Sequence, residues 1–80
     1  MYFVYIIECV DGSLYTGTSP DPKARFLKHK AGLGAKYTKS HKPAKLVYTE
    51  QFETKGDAMR REIQIKNLRR ESKLDLINKK

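Results

Sequence analysis

The chain has 80 residues, a single cysteine and a formal net charge of +8, and these values limit what it can be. Its length allows one domain, residues 1–80, with a modest core. The lone cysteine excludes an internal disulfide or a cysteine-rich zinc site. Between Lys23 and Lys45 lie eight basic residues and no acidic residue. This segment predicts either a nucleic acid as partner or a solvated face that keeps the protein soluble.

The first predicted element is a strand over Tyr2–Cys9, which is rich in valine, isoleucine and aromatic residues. Both of its faces are largely apolar, so we expect a central strand that is covered on two sides. The apolar stretch is too short to span a membrane and carries no basic leader, so we expect a cytoplasmic protein without membrane contact. A turn at Asp11 and Gly12 leads into a second strand over Ser13–Thr18.

The loop of this hairpin decides where two tyrosines point. With a three-residue loop from Val10 to Gly12, and the glycine in a left-handed bulge, Tyr5 and Tyr15 lie on the same face of the sheet. With a two-residue loop, the register shifts by one residue and the two phenols point to opposite faces. The sequence leaves both registers open, and a site that uses both phenols requires the first.

A helix is predicted over residues 22–31, and Gly32 ends it. Three small or apolar residues form its expected core stripe: Ala24, Leu27 and Ala31. Arg25 and His29 are four residues apart and share a different face of this helix. They are either a solvated pair or a phosphate-binding pair, because arginine suits a phosphate and histidine can exchange a proton near neutral pH.

The second half of the chain predicts one more strand and two more helices. A polar loop over residues 32–43, with room for one short turn at residues 36–40, precedes a strand over Ala44–Phe52. Simple alternation divides this strand into two faces, the first with Leu46, Tyr48 and Glu50 and the second with Val47, Thr49 and Gln51. Helices over Lys55–Leu68 and Arg70–Asn78 complete the order β-β-α-β-α-α. The expected class is α+β, a three-stranded sheet flanked by helices.

Glu62 is an acidic residue in apolar surroundings on the first of these two helices. On a helix wheel it lies near the centre of an apolar arc formed by Ala58, Met59, Ile63, Ile65 and Leu68. A carboxylate at such a position requires a partner, a metal ion or a wet cleft. The alternative is an ion pair with Lys66, one turn further on, which would contribute little to stability.

Five segments, taken in order, resemble the GIY-YIG nuclease family. Residues 3–5, Phe-Val-Tyr, stand where the family has Gly-Ile-Tyr, and residues 15–17, Tyr-Thr-Gly, stand where it has Tyr-Ile-Gly. The arginine–histidine helix and the helix with Glu62 follow in the family's order. The loop over residues 34–38 resembles that of the small stand-alone members and of the junction-cutting nuclease subunit. The departures are Phe3 for the glycine and Thr16 for the isoleucine, and neither position supplies a reacting group.

The resemblance implies metal-assisted phosphodiester hydrolysis by a DNA endonuclease of repair or processing, with selectivity for the structure of its substrate. Five catalytic residues are implied: Tyr5, Tyr15, Arg25, His29 and Glu62. Glu62 would hold one Mg²⁺ or Mn²⁺, and Arg25 would neutralise charge on the phosphoryl group. Tyr15 or Tyr5 would orient or deprotonate the attacking water, and His29 would assist Tyr5 or bind the phosphate.

The basic segment supplies the expected contacts to nucleic acid, with DNA favoured over RNA: Lys23, Lys28, Lys36, Tyr37, Lys39 and Lys42. We expect a monomer with a protein partner that supplies substrate specificity. Two other functions agree with the sequence. A basic module that binds without cutting predicts salt-sensitive binding and no metal-dependent cleavage. A small subunit whose basic C-terminal helix docks on another protein predicts no affinity for nucleic acid.

Overall fold

The computed structural model describes residues 1–34, 36 and 40–79, and its elements follow in the predicted order. The sheet consists of β1 (Tyr2–Cys9), β2 (Leu14–Ser19) and β3 (Pro43–Phe52), and the helices are α1 (Pro22–Lys30), α2 (Lys55–Lys66) and α3 (Arg70–Asn78). The α+β class is therefore confirmed. The short turn expected at residues 36–40 falls mostly on residues outside the described part of the chain.

The sheet is antiparallel with the strand order β2-β1-β3, so β1 is the central strand, as predicted. The hairpin adopts the first of the two registers, because Gly12 has a φ of 86° and its N–H donates to the Cys9 carbonyl. Tyr5 pairs with Gly17, and Ile7 pairs with Tyr15. Gly17, the partner of Tyr5, is two residues from Tyr15 on β2. Side chains two residues apart on a strand share a face, so both phenols lie on one face of the sheet.

Successive residues of β1 enter two separate cores, one on each face of the sheet. On the α2 face, Val4 and Ile6 pack with Ala58 and Ile65 of α2. On the α1 face, a second cluster gathers around buried Tyr5, Ile7 and Cys9, with Tyr15, Phe26 and Leu46 packed against it. The small core therefore has two layers, one on each face of the sheet, and both phenols lie on the α1 face.

The predicted alternation along β3 is wrong for Leu46. Ile6 pairs with Tyr48 whereas Ile7 pairs with Leu46, so Val47 is an extra residue on the β3 side of the ladder. Such an irregularity reverses the alternation beyond it. Leu46 consequently packs on the α1 face while Tyr48 packs on the α2 face.

The expected core stripe of α1 is also wrong. Ala24, Leu27 and Ala31 are all exposed, and the helix instead turns Pro22 and His29 inward. Phe26 joins the core beside them. The helix-wheel prediction was wrong because it treated the face with Arg25 and His29 as polar and solvent-exposed, whereas this face packs against the sheet.

The ends of α1 are set by local hydrogen bonds. The Asp21 side chain accepts from the Ala24 N–H at 3.2 Å, which caps the first turn. At the other end Gly32 has a φ of 80°, and the Gly32 and Leu33 N–H groups donate back to the His29 and Lys28 carbonyls. This turn brings residue 34 back over the last turn of α1.

Helix α2 ends at Lys66, two residues before the predicted end. Of its expected apolar arc, Ala58 and Ile65 are buried while Met59, Ile63 and Leu68 are exposed. In α3, Leu76 and Ile77 pack against the core of the α2 face. Within the described residues, no helix has the length and the apolar character needed to cross a membrane.

Candidate active site

Tyr5 and His29 form the buried centre of the site. The Tyr5 hydroxyl lies 2.9 Å from Nε2 of His29, and the two residues are 1% and 0% exposed. Burial raises the pKa of Tyr5 to about 12; the neighbouring Tyr15 and Glu62 add to this rise, whereas Arg25 opposes it. Burial, together with the charge of Arg25, lowers the pKa of His29. Both groups are therefore neutral near pH 7, and the tautomer of His29 sets which of the two donates the hydrogen in this bond.

Tyr15 completes an aromatic cluster with this pair. Its ring centroid lies 6.3 Å from that of Tyr5 and 5.2 Å from that of His29, and the rings are tilted in both pairs. Tilted rings at these separations pack favourably. Tyr15 is half-buried rather than buried, so its phenol is the more accessible of the two.

Two glycines make room for the cluster. A Cβ atom at Gly17 would lie 2.5 Å from the Tyr5 hydroxyl and 2.7 Å from its Cζ. A Cβ atom at Gly34 would overlap the His29 ring at Nδ1. Gly17 lets the Tyr5 side chain cross the neighbouring strand, and Gly34 lets the loop after α1 close against the histidine.

Arg25 lies on α1, one turn before His29, and brings a positive charge to this cluster. Its guanidinium is close enough to affect the pKa of both Tyr5 and His29. Its Nε is buried and has no hydrogen-bond partner among the described residues. Beside it is a shallow cavity of about 240 Å³, whose walls include Ser19, Lys28 and the Asp21 carboxylate that caps α1. A buried donor without a partner, next to a cavity with a second cation, suits an anionic ligand.

Glu62 lies on α2 and is half-buried. Its side chain is 19% exposed and lies 3.6 Å from the Lys66 ammonium, so the ion pair expected as the alternative is present. The carboxylate also contributes to the raised pKa of Tyr5. It is therefore within electrostatic range of the phenol and retains access to solvent.

The donor set can be compared with the needs of a divalent cation. No group of three or more histidine, cysteine or acidic side chains in residues 1–34, 36 and 40–79 is arranged to hold a metal ion. Mg²⁺ often takes only one or two carboxylates and fills its other positions with water and phosphate oxygens. A single accessible carboxylate such as Glu62 fits that requirement, provided that Lys66 gives way.

The structure describes four of the six residues that were expected to contact nucleic acid. Lys23, Lys28, Lys36 and Lys42 are all exposed. Tyr37 and Lys39 lie outside the described residues. The exposed lysines are free to meet a polyanion, whereas Lys45, at the end of the basic segment, pairs with Glu8 at 3.5 Å.

Sequence reasoning missed a network that attaches α2 to the sheet. Glu50 of β3 accepts a hydrogen bond from Nε of Arg61 at 2.8 Å and another from the Tyr48 hydroxyl at 2.6 Å. Arg61 directly precedes Glu62, so the network holds the backbone that carries the acid. The alternation of β3 placed Tyr48 and Glu50 on one face, but no local pattern indicated a partner eleven residues further on.

Comparison with known proteins identifies the class to which this fold and site belong. The model of the GIY-YIG catalytic domain matches residues 1–75, and the chain belongs to the GIY-YIG family. That domain implies nuclease activity, and hence nucleic-acid binding, in general terms. Nucleases of this family generally depend on divalent metal ions.

The similar proteins are small, and their domain stands alone. A UPF0213 protein of Staphylococcus aureus is 53% identical over 79 residues, which is 99% of this chain and 96% of its own length. The Staphylococcus saprophyticus protein is 51% identical over 77 residues, 96% and 94% of the two chains. The solution structure of the UPF0213 protein BH0048 from Bacillus halodurans has a TM-score of 0.63 at 47% identity and covers 100% of this chain and 86% of that one. The protein EF2693 from Enterococcus faecalis has the same TM-score at 34% identity, covering 98% and 83%.

Proposed function

We propose that the chain is a metal-dependent endonuclease that hydrolyses phosphodiester bonds in DNA, and that it acts as a monomer in the cytoplasm during repair or processing. The observation that carries this proposal is the meeting of Tyr5, Tyr15 and His29 on one face of the sheet, beside the unpaired Nε of Arg25. Glu62 lies within electrostatic range of the same phenol. A module that only binds DNA needs the lysines but has no use for a buried phenol–imidazole pair.

Arg25 and Lys28 are the proposed phosphate ligands. The cavity is lined by Arg25, whose buried Nε has no hydrogen-bond partner among the described residues, and by the exposed Lys28. A guanidinium can bind two phosphate oxygens at once, and in a water-poor site it stabilises negative charge that develops on them. We assign Arg25 to the reacting phosphoryl group and Lys28 to a neighbouring phosphate.

The two tyrosines take different roles in this proposal. Tyr5, with its pKa raised to about 12 and its hydroxyl bonded to His29, stays protonated near pH 7 and is not the proposed base. It is a positioning residue that fixes the orientation of His29 and packs against Tyr15. Tyr15, which is more accessible, orients the attacking water.

Glu62 is the proposed ligand of a single Mg²⁺ or Mn²⁺. When bound, such an ion stabilises the negative charge on the leaving oxygen. The neighbouring Lys66 neutralises the carboxylate in the absence of the ion, which limits the penalty of leaving it partly buried.

A cleavage assay tests the proposal. Labelled DNA and RNA duplexes, flaps and junctions are incubated with the protein, with and without Mn²⁺. We expect metal-dependent cutting that falls at least about a hundredfold in Glu62→Gln and in Tyr15→Phe. The matched control is Glu53→Gln, which changes an exposed carboxylate outside the site and leaves the rate unchanged.

Three results would contradict the proposal. Salt-sensitive binding without cutting of any substrate would make the chain a basic binding module. Equal cutting by wild type and Glu62→Gln would remove this carboxylate from the site. A chain that binds neither DNA nor RNA would instead be the subunit of a protein partner.

A further inference from the structure

A second shallow cavity lies on the β3 side of the start of α1, and its lining contains none of the five proposed catalytic residues. It has a volume of about 270 Å³. Most of its wall is apolar, formed by Phe3, Pro20, Pro22 and Leu46, while Lys23 and Thr49 add polar groups at its edge. We call it the Phe3 cavity. Its volume approaches the lower end of the range of small-ligand pockets, and its lining of apolar surface with a few polar groups is typical of them.

Packing in the two hydrophobic cores does not account for the aromatic ring of Phe3. It is half-buried, and neither buried cluster of the described residues includes it. It lies on β1 between Ser19 and Gln51, two residues before Tyr5, and so faces the same side of the sheet as the phenols. An aromatic ring that lines a cavity without joining a core offers a flat surface for stacking.

The Phe3 cavity adjoins the proposed phosphate site. The cavity beside Arg25 and the Phe3 cavity share the walls formed by Pro20 and Asp21. Asp21 is the one carboxylate in these walls, and its Oδ1 is engaged by the Ala24 N–H. A cation site on one side of a turn and a flat apolar cavity on the other match the two parts of a nucleotide, its phosphate and its base.

We propose that the Phe3 cavity receives an unpaired nucleobase of the substrate, which stacks on Phe3 while Lys23 meets the adjoining backbone phosphate. A paired base is held in its own stack and cannot enter such a cavity, whereas an unpaired base is free to do so. The protein therefore prefers nucleic acid with an unpaired nucleotide beside the bound phosphate over continuous duplex. This inference rests on the proposed function, since it assumes a nucleic-acid substrate.

Binding can be measured apart from cutting. The full chain with Glu62→Gln, in a buffer without divalent metal, is titrated with two DNA duplexes that differ only by one bulged 2-aminopurine. We expect the bulged duplex to bind about five- to tenfold more tightly, with quenching of the 2-aminopurine fluorescence on stacking. Phe3→Leu removes the preference and the quenching, whereas Phe3→Trp retains both. The matched control Leu27→Ala, an exposed apolar residue of α1 outside the cavity, changes neither.

The outcomes separate this inference from the function on which it rests. Equal binding of both duplexes, or an equal loss for both in Phe3→Leu, overturns the inference and leaves the nuclease proposal intact. Absence of binding to either duplex overturns both. If a phenylalanine-containing peptide binds in the Phe3 cavity and displaces neither DNA duplex, the cavity belongs to a protein partner and the inference is overturned. Circular dichroism of Phe3→Leu and Phe3→Trp confirms that each variant is folded before binding is compared.

Discussion

His29 is the one histidine in the described part of the chain with no exposed surface, and its chemistry is set by what surrounds it. Tyr5 of β1 binds its Nε2, Tyr15 of β2 packs against its ring, and Gly34 lies against Nδ1. The positive charge of Arg25 approaches from the same helix. Burial and this charge both disfavour the imidazolium, so the folded protein binds a proton at His29 less readily than the unfolded chain.

The lowered pKa of His29 predicts acid destabilisation. Well above about pH 6.5, the ordinary pKa of histidine, the group is neutral in both states. As the pH falls below that value, the unfolded chain takes up a proton that the folded protein refuses, and the free energy of unfolding decreases until the folded pKa is passed. Urea unfolding at about pH 7.5 and about pH 5.5 measures this loss.

Two variants show which histidine is responsible. His29→Gln should lose less stability between the two pH values than the wild type. His41→Gln, which removes the histidine paired with Asp11 at the hairpin, should retain the contribution of His29. An unchanged pH dependence in His29→Gln would place the titrating group elsewhere.

Gly17 decides whether Tyr5 can reach the histidine. A methyl group at this position would lie 2.5 Å from the Tyr5 hydroxyl, and this side chain is buried and bonded to His29, so moving it away disrupts the site. We expect Gly17→Ala to lower the free energy of unfolding by about 1–3 kcal/mol, as overpacking does, and to reduce cleavage more than tenfold. Urea unfolding and the cleavage assay measure the two effects.

A glycine elsewhere provides the matched control. Gly56 lies in the first turn of α2, where the nearest atoms to an added Cβ are 3.9 and 4.0 Å away. Gly56→Ala should keep activity and slightly raise the free energy of unfolding, because alanine suits a helix better. Full activity in Gly17→Ala would show that the phenol tolerates displacement.

At the scale of elements, the relation of α2 to the sheet determines where Glu62 lies. Arg61 and Glu50 have side chains that are 31% and 29% exposed, so their ion pair is better shielded than a surface pair. Tyr48 adds a second hydrogen bond to Glu50, and burial together with this bond raises the pKa of Tyr48. The network connects β3 to the turn of α2 that carries the acid.

We therefore expect Arg61→Met to act on metal use as well as stability. Loss of the pair should lower the free energy of unfolding by about 1 kcal/mol, and loosening of α2 should raise the Mn²⁺ concentration for half-maximal cleavage severalfold. Arg60→Met is the matched control, since Arg60 pairs with Asp57 on the outer side of the same helix. A change in stability with no change in metal requirement would show that Arg61 does not position Glu62.

At the scale of the whole molecule, the basic helix α1 and the phenols share one side of the sheet. Helix α1 covers the face that contains Tyr5 and Tyr15, and α3 packs against the opposite face. The exposed lysines of α1 therefore lie on the side of the proposed site, whereas Lys79 directly follows α3 on the other side. A polyanion is attracted to the side on which the chemistry is proposed to occur.

This arrangement predicts strongly salt-dependent binding. If the five lysines assigned to nucleic acid each neutralise one phosphate, the log of the affinity should fall with log salt with a slope of about −4 to −5. Lys28→Ala should reduce that slope by about 1, while Lys79→Ala should leave it unchanged. Fluorescence anisotropy over a salt series measures both, and a flat dependence would favour a protein partner over nucleic acid.

Local patterns in the sequence were enough to determine the elements, their order and the central position of β1. The strand composition of residues 2–9, the glycine turn at residue 12 and the helix signals around residues 22 and 54 act over a few neighbours, so no distant contact is needed to interpret them. The ordered motifs likewise indicated the five residues of the site. Their roles in catalysis remain predictions.

Only the tertiary structure decided which faces turn inward. The face of α1 with Arg25 and His29 turns toward the sheet, because His29 bonds Tyr5 there and Gly34 leaves room for its ring. The core stripe expected for α1 is therefore on the exposed side. The irregularity at Val47 sends Leu46 to the opposite face from Tyr48, and Arg61 finds Glu50 across eleven residues. These choices depend on the fit of surfaces that are distant along the chain, and hydrophobic periodicity carries no information about such partners.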